Sequence, residues 1–396
     1  MVSKRIMDMI PSVTFAQSEK IAVLKKQGVS VIGFNIGEPD FNTPANIIKK
    51  AEEALCKGYT KYTPIAGSME LREEICNKFK KDYNLDYSIN EVIVSSGAKQ
   101  SLTNALMAIV DPGDEVVVPT PCWISYIEMI KLTGGTPVLV EMDEAKGFDL
   151  DVDLIASKIT EKTKAVLINS PNNPTGAVYK KKDLERLGNL ATVNNFYVIS
   201  DEIYEKLVYD GEVNCCTASI SPEIKERTIT VNGVSKSYAM TGWRIGFATG
   251  PKDVIKAMSD YQGHTTSSSN APAQYASLEA LQNSDVFVEE MRKEFEERRN
   301  YIIKRLNDMP GISCFSPKGA FYVMPNIKSY YGKSHKGYTI NNPVDMCDYL
   351  LDESRIAVVT GTAFLAMDNI RISYSNSLEN INEGMDRMEE ALMKLK

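Results

Sequence analysis

Histidine is scarce in this sequence, since only His264 and His335 occur among 396 residues. A Ser-His-Asp hydrolase, a zinc site with several imidazole ligands or a histidine general base would each depend on one of these two residues. His264 precedes a run of Thr and Ser, and His335 lies in the polar stretch YYGKSHKG, so both are predicted to be solvated loop residues. An enzyme with this sequence is expected to move protons with another side chain, and no metal site is predicted.

Three further features are missing. The seven cysteines contain no Cys-x-x-Cys pair, so neither a zinc ribbon nor a redox dithiol is indicated. A net charge of −7 provides no basic surface for nucleic acid. No apolar run approaches the roughly 18 residues of a membrane helix, and the N-terminal residues lack the apolar core of a secretory signal. A reduced, cytoplasmic protein that binds neither nucleic acid nor membrane is expected.

Short apolar runs alternate with helical patterns between residues 91 and 250. Most runs are continuous stretches of Val, Ile and Leu, which is typical of strands buried on both faces of a parallel sheet. The seven predicted strands are Glu91–Ser95, Glu115–Val118, Pro137–Glu141, Ala165–Asn169, Phe196–Ser200, Thr228–Val231 and Arg244–Ala248. An α/β fold is predicted, with a mostly parallel seven-stranded sheet flanked by helices.

The pattern changes after residue 282. Residues 286–306 form a long, charged amphipathic pattern of the kind that connects two domains. Short predicted strands follow it at Ala320–Met324, Ile356–Val359 and Ile370–Tyr374. The sequence therefore predicts a large domain over residues 42–285 and a smaller α+β domain formed by residues 1–41 and 286–396.

Ligands of an open parallel sheet bind beyond the carboxyl ends of its strands. The residues that follow the predicted strands are therefore candidate site residues, and all are expected at one edge of the sheet. These segments are SSGAKQ at 95–100, PTPCW at 119–123, SPNNPTG at 170–176, SDEIY at 200–204, NGVSK at 232–236 and TGWR at 241–244.

Each candidate has a structural interpretation beside a functional one. Gly97 and Ala98 open a helix whose free N–H groups can hold a phosphate, although a plain strand-to-helix turn fits equally well. Lys236 follows an apolar strand, where a desolvated amine can form an imine with an aldehyde, but a lone lysine is more often a solvated loop residue. Asp201 can hold a ring nitrogen protonated or cap a helix.

Three more residues are open to the same two interpretations. Tyr204 follows Asp201 by three residues and lies on the same side if the chain turns helical. Trp123 can stack on a flat cofactor, whereas core packing is its usual role. Arg371 stands in the alternating segment NIRIS, where a solvent-facing arginine is the alternative. No Gly-x-Gly-x-x-Gly follows an early strand and no Walker motif occurs, so a dinucleotide or nucleoside triphosphate has little support.

The segments NSPNNPTG, SDEIY and SKSYAMTGWRIG resemble, in this order and at these separations, the pyridoxal-phosphate-dependent aminotransferases of the aspartate aminotransferase family, fold type I. Further similarity lies in GEPDF at 37–41, KYTP at 61–64, GAFYV at 319–323 and NIRISYS at 369–375. The resemblance covers nearly the whole chain and is strongest to the bacterial-type aspartate aminotransferases. Each motif alone is weak, and their joint occurrence favours the functional interpretations.

The resemblance implies a site for pyridoxal 5′-phosphate in which Lys236, Asp201 and Tyr204 are catalytic. Lys236 is expected to form an imine with the cofactor and, once released, to move a proton between the substrate α-carbon and the cofactor. Asp201 is expected to pair with the protonated pyridine nitrogen. Tyr204 and Asn173 would bond the phenolic oxygen, and Trp123 would stack on the ring.

The resemblance also assigns the residues that bind the phosphate of the cofactor and the carboxylates of the substrate. Arg244 is expected to bind the phosphate. The other expected phosphate ligands are Gly97, Ala98, Ser235 and, in a homodimer with shared active sites, the partner subunit's Tyr62. Arg371 is expected to bind the substrate α-carboxylate, with Gly37, Asn173 and Trp123 also at the substrate. Lys99 resembles the lysine that binds a second, distal carboxylate.

Some positions depart from the family pattern or restrict the range of expected substrates. Many members carry Ser or Thr three residues before the lysine, and here that position is Gly233, so either Ser235 compensates or the phosphate has one donor fewer. PSVTF at 11–15 resembles the mobile N-terminal segment that covers the substrate. Relatives that also accept prephenate have a basic residue before it, where this chain has Ile10, which disfavours prephenate.

The predicted function is transfer of the amino group of an L-amino acid, with L-aspartate favoured by Lys99, to 2-oxoglutarate by a ping-pong mechanism. Two alternatives within the fold are an aromatic or alanine-type aminotransferase and a β-eliminating lyase that uses the same cofactor. A ligand-sensing regulator on the same fold is disfavoured, because the chain is acidic and carries no helix-turn-helix extension.

Overall fold

The structure is a computed structural model that describes residues 2–10, 21, 23–24 and 26–396, so the PSVTF segment at 11–15 lies outside the described residues. The helices are Lys4–Met7 (α1), Ala45–Cys56 (α2), Met69–Tyr83 (α3), Ala98–Ile109 (α4), Ser125–Thr133 (α5), Val152–Ala156 (α6), Lys181–Asn194 (α7), Pro222–Lys225 (α8), Lys252–Thr265 (α9), Ala271–Asn283 (α10), Asp285–Asp308 (α11), Pro343–Ser354 (α12) and Leu378–Met393 (α13). Within the described part of the chain, none of them combines the length and apolarity that a membrane crossing requires.

The strands form one large sheet and several small ones. They are Ile32–Gly33 (β1), Val92–Ser95 (β2), Glu115–Thr120 (β3), Thr136–Glu141 (β4), Thr163–Asn169 (β5), Tyr197–Asp201 (β6), Thr228–Gly233 (β7), Gly246–Thr249 (β8), Tyr322–Val323 (β9), Ser334–His335 (β10), Tyr338–Thr339 (β11), Ile356–Ala357 (β12), Val359–Thr360 (β13) and Ile370–Ser373 (β14). The large sheet has seven strands in the order β2-β8-β7-β6-β5-β3-β4. Every neighbouring pair is parallel except the two that β8 makes with β2 and β7.

Helices cover both faces of this sheet. Leu167 and Ile199 pack in an apolar cluster with α4, α5 and α9. Their chain neighbours Val166 and Val198 point the other way and pack in a cluster with α7. Because successive side chains of a strand face opposite sides, the central strands are buried on both faces, which explains their continuous apolar runs. The predicted α/β fold with a mostly parallel seven-stranded sheet is confirmed.

The C-terminal part has its own small sheets. Strands β13, β14 and β9 form an antiparallel sheet, and β1 pairs in parallel with β12. Phe34 packs in one apolar cluster with α11, α12 and α13, and the same cluster contains Ile203 and Tyr204. The domain division at residues 42 and 285 stays a prediction, which the pairing of β1 with β12 supports.

Three predicted strands differ from the observed ones for reasons that lie in the backbone, and the bounds of the others shift by at most two residues. The strand predicted from Arg244 begins only at Gly246, because Arg244 has a left-handed backbone with φ of 57°. The strand predicted from Ala320 is shortened to β9, and Ala320 also has a φ of 57°. The run Ile356–Val359 divides between β12, which pairs with β1, and β13, which pairs with β14.

The antiparallel strand β8 begins at the edge of the sheet where the parallel strands end. Its first residue, Gly246, pairs with Ser95 of β2 and Gly233 of β7. A Cβ atom on Gly246 would lie only 2.1 Å from the amide nitrogen of Ala98. A residue without a side chain is therefore needed for β8 to approach the first turn of α4.

This close approach predicts that Gly246→Ala will be destabilising. Because the backbone of α4 would have to move away from the new methyl group, we expect the free energy of unfolding to fall by about 1–3 kcal/mol. Gly242→Ala is the matched control, since a Cβ there has no neighbour within 4 Å. Thermal unfolding of both variants should show a lower midpoint for Gly246→Ala alone, and equal midpoints would contradict the packing argument.

Candidate active site

A cavity of about 310 Å³ lies among the segments that follow the parallel strands. Its volume is at the lower end of the ~300–1,000 Å³ range of small-molecule sites. The predicted site residues that line it are Gly37, Ala98, Lys99, Trp123, Asn173, Asp201, Tyr204, Ser235, Lys236, Arg244 and Arg371. Gly97 lies directly behind Arg244, whereas Tyr62 is 91% exposed and does not line this cavity.

Neither histidine belongs to the cavity wall. The prediction that both lie in loops is wrong, because local pairing draws both into regular structure. His264 stands in the last turn of α9, and His335 forms part of β10, where its Nε2 lies 3.8 Å from Glu353.

Lys236 follows β7 and extends its amine into the cavity. The side chain is half-buried, and its Nζ donates a hydrogen bond to the carbonyl oxygen of Gly37 at 2.5 Å. Burial lowers the pKa of the amine to about 8, the charge of Glu38 opposes this shift, and Arg371 and Arg244 reinforce it. A substantial neutral fraction is therefore present near neutral pH, and the neutral form is the one that attacks a carbonyl or accepts a proton.

Asp201 is the last residue of β6 and is buried at the cavity wall. Its Oδ2 accepts a hydrogen bond from the hydroxyl of Tyr126 at 2.7 Å, and its Oδ1 accepts one from the amide of Ile203 at 3.2 Å. Burial raises the pKa of this carboxyl to about 6, while both hydrogen bonds act in the opposite direction. A buried carboxylate in this setting suits a ligand that brings a positive N–H group.

Arg244 and the start of α4 form a positive corner of the cavity. The Arg244 Nη1 donates to the carbonyl of Thr241 at 2.8 Å, and a Cβ on Gly97 would lie 2.4 Å from its Nη2. The amides of Ala98 and Lys99 begin the helix and have no hydrogen-bond acceptor among the described residues. A guanidinium beside the positive end of a helix is a binding site for an anion.

The geometry explains why glycine stands at position 233. A Cβ on Gly233 would lie 3.0 Å from both the Cα of Gly246 and the carbonyl oxygen of Ile245. The pairing of β7 with β8 therefore leaves little room for Ser or Thr at that position. Ser235 is buried and lines the cavity, so its hydroxyl remains available to the same corner.

Arg371 lies in β14 and is buried. Its Nη1 donates to the side-chain oxygen of Asn173 at 3.0 Å and its Nη2 to the carbonyl of Asn35 at 3.0 Å. The rings of Tyr322 and Phe364 lie 4.5 Å and 4.6 Å from its guanidinium carbon. Its Nε has no hydrogen-bond partner, and within the described residues no carboxylate pairs with it. A buried guanidinium without an acid is costly, so the arrangement suits a bound carboxylate.

The loop after β5 holds Asn173 in place beside Arg371. The Asn172 side-chain oxygen accepts hydrogen bonds from the amide and the hydroxyl of Thr175. The amide of Asn173 donates to the side chain of Asn169 at 2.7 Å. These bonds close the turn locally, so the side chain of Asn173 is oriented before any ligand binds.

Lys99 and Trp123 form the remaining wall. The Lys99 side chain is exposed overall, and its Nζ lies 4.4 Å from the ring centroid of Trp123. Burial of the amine and then the charge of Arg244 lower its pKa. An amine that repels a neighbouring guanidinium and has no acid beside it among the described residues suits a second negative group of a ligand.

Sequence reasoning missed several residues of the site. Tyr126 bonds Asp201, Tyr322 bonds the Tyr204 hydroxyl at 2.8 Å, and the carbonyl of Asn35 accepts from Arg371. A signal existed for two of them, since Tyr126 stands one helical turn after Trp123 and Tyr322 lies in the GAFYV motif. The role of a backbone carbonyl such as that of Asn35 cannot be predicted from the type of the residue.

The depressed pKa of Lys236 can be measured in ligand-free protein. After reductive methylation with ¹³C-formaldehyde, we expect one dimethyl-lysine NMR signal to titrate near pH 8, and this signal should be missing in Lys236→Arg. Glu38→Gln should move the midpoint lower, because removal of a negative charge destabilises the ammonium form. A Lys236 midpoint near the ordinary lysine value of about 10.4 would contradict the electrostatic picture.

Comparison with known proteins identifies the family. Residues 29–388 match the profile of the aminotransferase class I and II family. An aspartate aminotransferase of Geobacillus stearothermophilus is 45% identical over 98% of this chain and 98% of its own length. A probable aspartate/prephenate aminotransferase of Rhizobium leguminosarum bv. phaseoli is 45% identical over 96% of this chain and 95% of its own length. The solved structure of the Thermus thermophilus aspartate aminotransferase with maleate superimposes with a TM-score of 0.93, at 42% identity and over 99% of both chains. The predicted family is confirmed, and the chain belongs to the class I and II aminotransferases.

Proposed function

We propose that this aminotransferase transfers the amino group of L-aspartate to 2-oxoglutarate and uses pyridoxal 5′-phosphate as cofactor. The observation that carries the proposal is an excess of positive charge around one cavity. Its cationic side chains are Lys99, Lys236, Arg244 and Arg371, and none of them forms an ion pair among the described residues. Asp201 is the only carboxylate on the described wall. A phosphate and two carboxylates would balance this charge.

The residues of the cavity fit the cofactor. Asp201 suits a protonated pyridine nitrogen, because it is a buried carboxylate with no cation bonded to it among the described residues. Arg244, with the backbone at Gly97 and Ala98, suits the phosphate, and Ser235 can add a hydroxyl donor. When bound, the cofactor supplies an electron sink for the negative charge that develops at the substrate α-carbon.

The catalytic work falls to three side chains. Lys236 would hold the cofactor through its amine and then move the proton from the substrate α-carbon to the cofactor, for which a pKa of about 8 is suited. Asp201 would keep the ring nitrogen protonated. Tyr204 would donate its hydroxyl proton to the phenolic oxygen, with Asn173 as a second donor. Trp123 would cover one face of the ring and exclude water.

The substrate would be held at both of its ends. Arg371 would bind the α-carboxylate together with Asn173, and the backbone of Gly37 lies on the same wall. Lys99 would bind the distal carboxylate of aspartate or of 2-oxoglutarate. Support comes from relatives named aspartate aminotransferase and from the Thermus thermophilus structure with maleate, which is itself a dicarboxylate. Discrimination against prephenate stays a prediction based on Ile10.

We also propose a cytoplasmic homodimer. Two copies would share their active sites through the partner subunit's Tyr62, and the supporting observation is that Tyr62 is 91% exposed in a single chain. No disulfide joins any of the described cysteines, which is consistent with a reducing compartment.

The assignment of Lys236 can be tested by reduction. Wild-type protein mixed with pyridoxal phosphate and treated with borohydride should retain one covalently attached cofactor per chain, detected by mass spectrometry of peptides. Lys236→Ala should retain none, because Lys99, the other lysine on the described cavity wall, is expected to bind the distal carboxylate of the substrate and not the cofactor. Lys99→Ala serves as the control and should keep the reducible bond; a reduced bond at the same site in Lys236→Ala would disprove the assignment.

The dicarboxylate preference predicts a selective effect of Lys99→Ala. Loss of a charge-assisted contact should lower kcat/KM for aspartate on the order of 10- to 100-fold, while kcat/KM for alanine changes little. Arg371→Ala should impair both substrates, because both carry an α-carboxylate. Absorbance measurements of cofactor conversion by each amino acid provide the rates. Failure of wild-type protein to react with aspartate, or an equal loss for both amino acids in Lys99→Ala, would refute the proposed substrate.

A further inference from the structure

Tyr322 lies between the two halves of the cavity. It is buried in β9 and lines the cavity wall, although no role was assigned to it from the sequence. Its hydroxyl lies 2.8 Å from the hydroxyl of Tyr204, and its ring lies 4.5 Å from the guanidinium carbon of Arg371. One side chain therefore contacts both the residue proposed for the cofactor's phenolic oxygen and the residue proposed for the substrate carboxylate.

Either hydroxyl of the pair can donate to the other, and a bound phenolic oxygen would select one arrangement of protons. The Tyr322 hydroxyl lies against the backbone of Gly37, where a Cβ would come within 2.7 Å of its oxygen, and Tyr204 is its only hydrogen-bond partner among the described residues. If Tyr204 donated to Tyr322, the proton of Tyr322 would have no acceptor there, and Tyr204 would present only lone pairs to the cavity. If Tyr322 donates instead, the proton of Tyr204 is free to point into the cavity.

The ring of Tyr322 has a second effect. Tyr322 and Phe364 both lie within 4.6 Å of the Arg371 guanidinium carbon, and their π faces attract the cation without neutralising it. Asn173 and Asn35 accept hydrogen bonds from its two terminal nitrogens. The ring therefore helps to hold the Arg371 guanidinium in place at the cavity wall.

We infer that Tyr322 is a positioning residue with two separable parts. Its hydroxyl donates to Tyr204 and so directs the Tyr204 proton toward the phenolic oxygen of the cofactor, while its ring supports Arg371 at the substrate carboxylate. The inference rests on the proposed function, because both targets are ligands named there. It adds a requirement that the family assignment does not contain, namely that the two binding events meet at one side chain.

The decisive variant is Tyr322→Phe, which removes the hydroxyl and keeps the ring. Pyridoxal phosphate should bind about 3- to 10-fold more weakly, the range expected for one neutral hydrogen bond. The pH midpoint of the bound cofactor's absorbance should move upward, because its phenolic oxygen loses an oriented donor. Maleate affinity and the KM for aspartate should change by less than about twofold, since the ring beneath Arg371 is retained.

A double-mutant cycle with Tyr204→Phe distinguishes an effect of Tyr322 that acts through Tyr204 from a general disturbance of the structure. If Tyr322 acts through Tyr204, the double variant should bind pyridoxal phosphate no more weakly than Tyr204→Phe alone. Tyr322→Leu tests the ring, and it should additionally weaken maleate binding. Additive losses in the cycle, or a Tyr322→Phe protein identical to wild type in cofactor affinity and absorbance titration, would overturn the inference.

Wild-type protein is the control that separates a failure of the proposed function from a failure of the role of Tyr322. Wild-type protein that neither retains pyridoxal phosphate nor reacts with aspartate would overturn the proposed function and the role of Tyr322 with it. Wild-type protein that does both, beside an unaffected Tyr322→Phe, would overturn the role of Tyr322 alone.

Discussion

The site depends on an excess of positive charge around one cavity, where Asp201 is the only carboxylate on the described wall and Glu38 acts on Lys236 from nearby. The clearest case of uncompensated charge is Arg371, because it is buried and has no acidic partner among the described residues. Two aromatic rings and two oxygen acceptors stabilise the guanidinium in place of an acid. Such groups lessen the cost of burial but leave the charge itself uncancelled, so the cavity attracts anions strongly.

One reversed strand of the large sheet places Arg244 among these cations. In a purely parallel sheet, every strand would end at the edge where ligands bind, and none would begin there. Because β8 runs antiparallel to β2 and β7, it starts at that edge, and the turn that precedes it carries Arg244 toward α4. Lys236, Asp201 and Asn173 come from the ends of the parallel strands in the usual way. Arg371 comes from the small C-terminal sheet, and so the cavity is bounded by both parts of the chain.

Much of the architecture could be predicted from the sequence, because strands that are buried on both faces appear there as continuous apolar runs. All seven strands of the large sheet were predicted, although the edge strand β4 is mostly exposed, and polar residues that follow several of the strands line the cavity. The left-handed conformation of Arg244 could not be predicted, since it depends on how the turn meets the first turn of α4. The contact between Tyr204 and Tyr322 spans 118 residues and requires the positions of two separate sheets. A backbone acceptor such as Asn35 is invisible to any reasoning from residue type.

The close packing at Gly246 divides the cavity into two kinds of wall. Behind the Arg244 corner the packing is largely backbone, made by Gly97, Gly246 and the start of α4, and the steric limits there admit almost no side-chain change. Elsewhere the wall consists of side chains, among them those of Lys99, Asn173 and Arg371. Mutation can therefore change these side chains without disturbing the main-chain packing behind Arg244. A scaffold of this kind can change what it recognises while it keeps its anion-binding corner, because the packing behind that corner is made by the main chain and the rest of the wall by replaceable side chains.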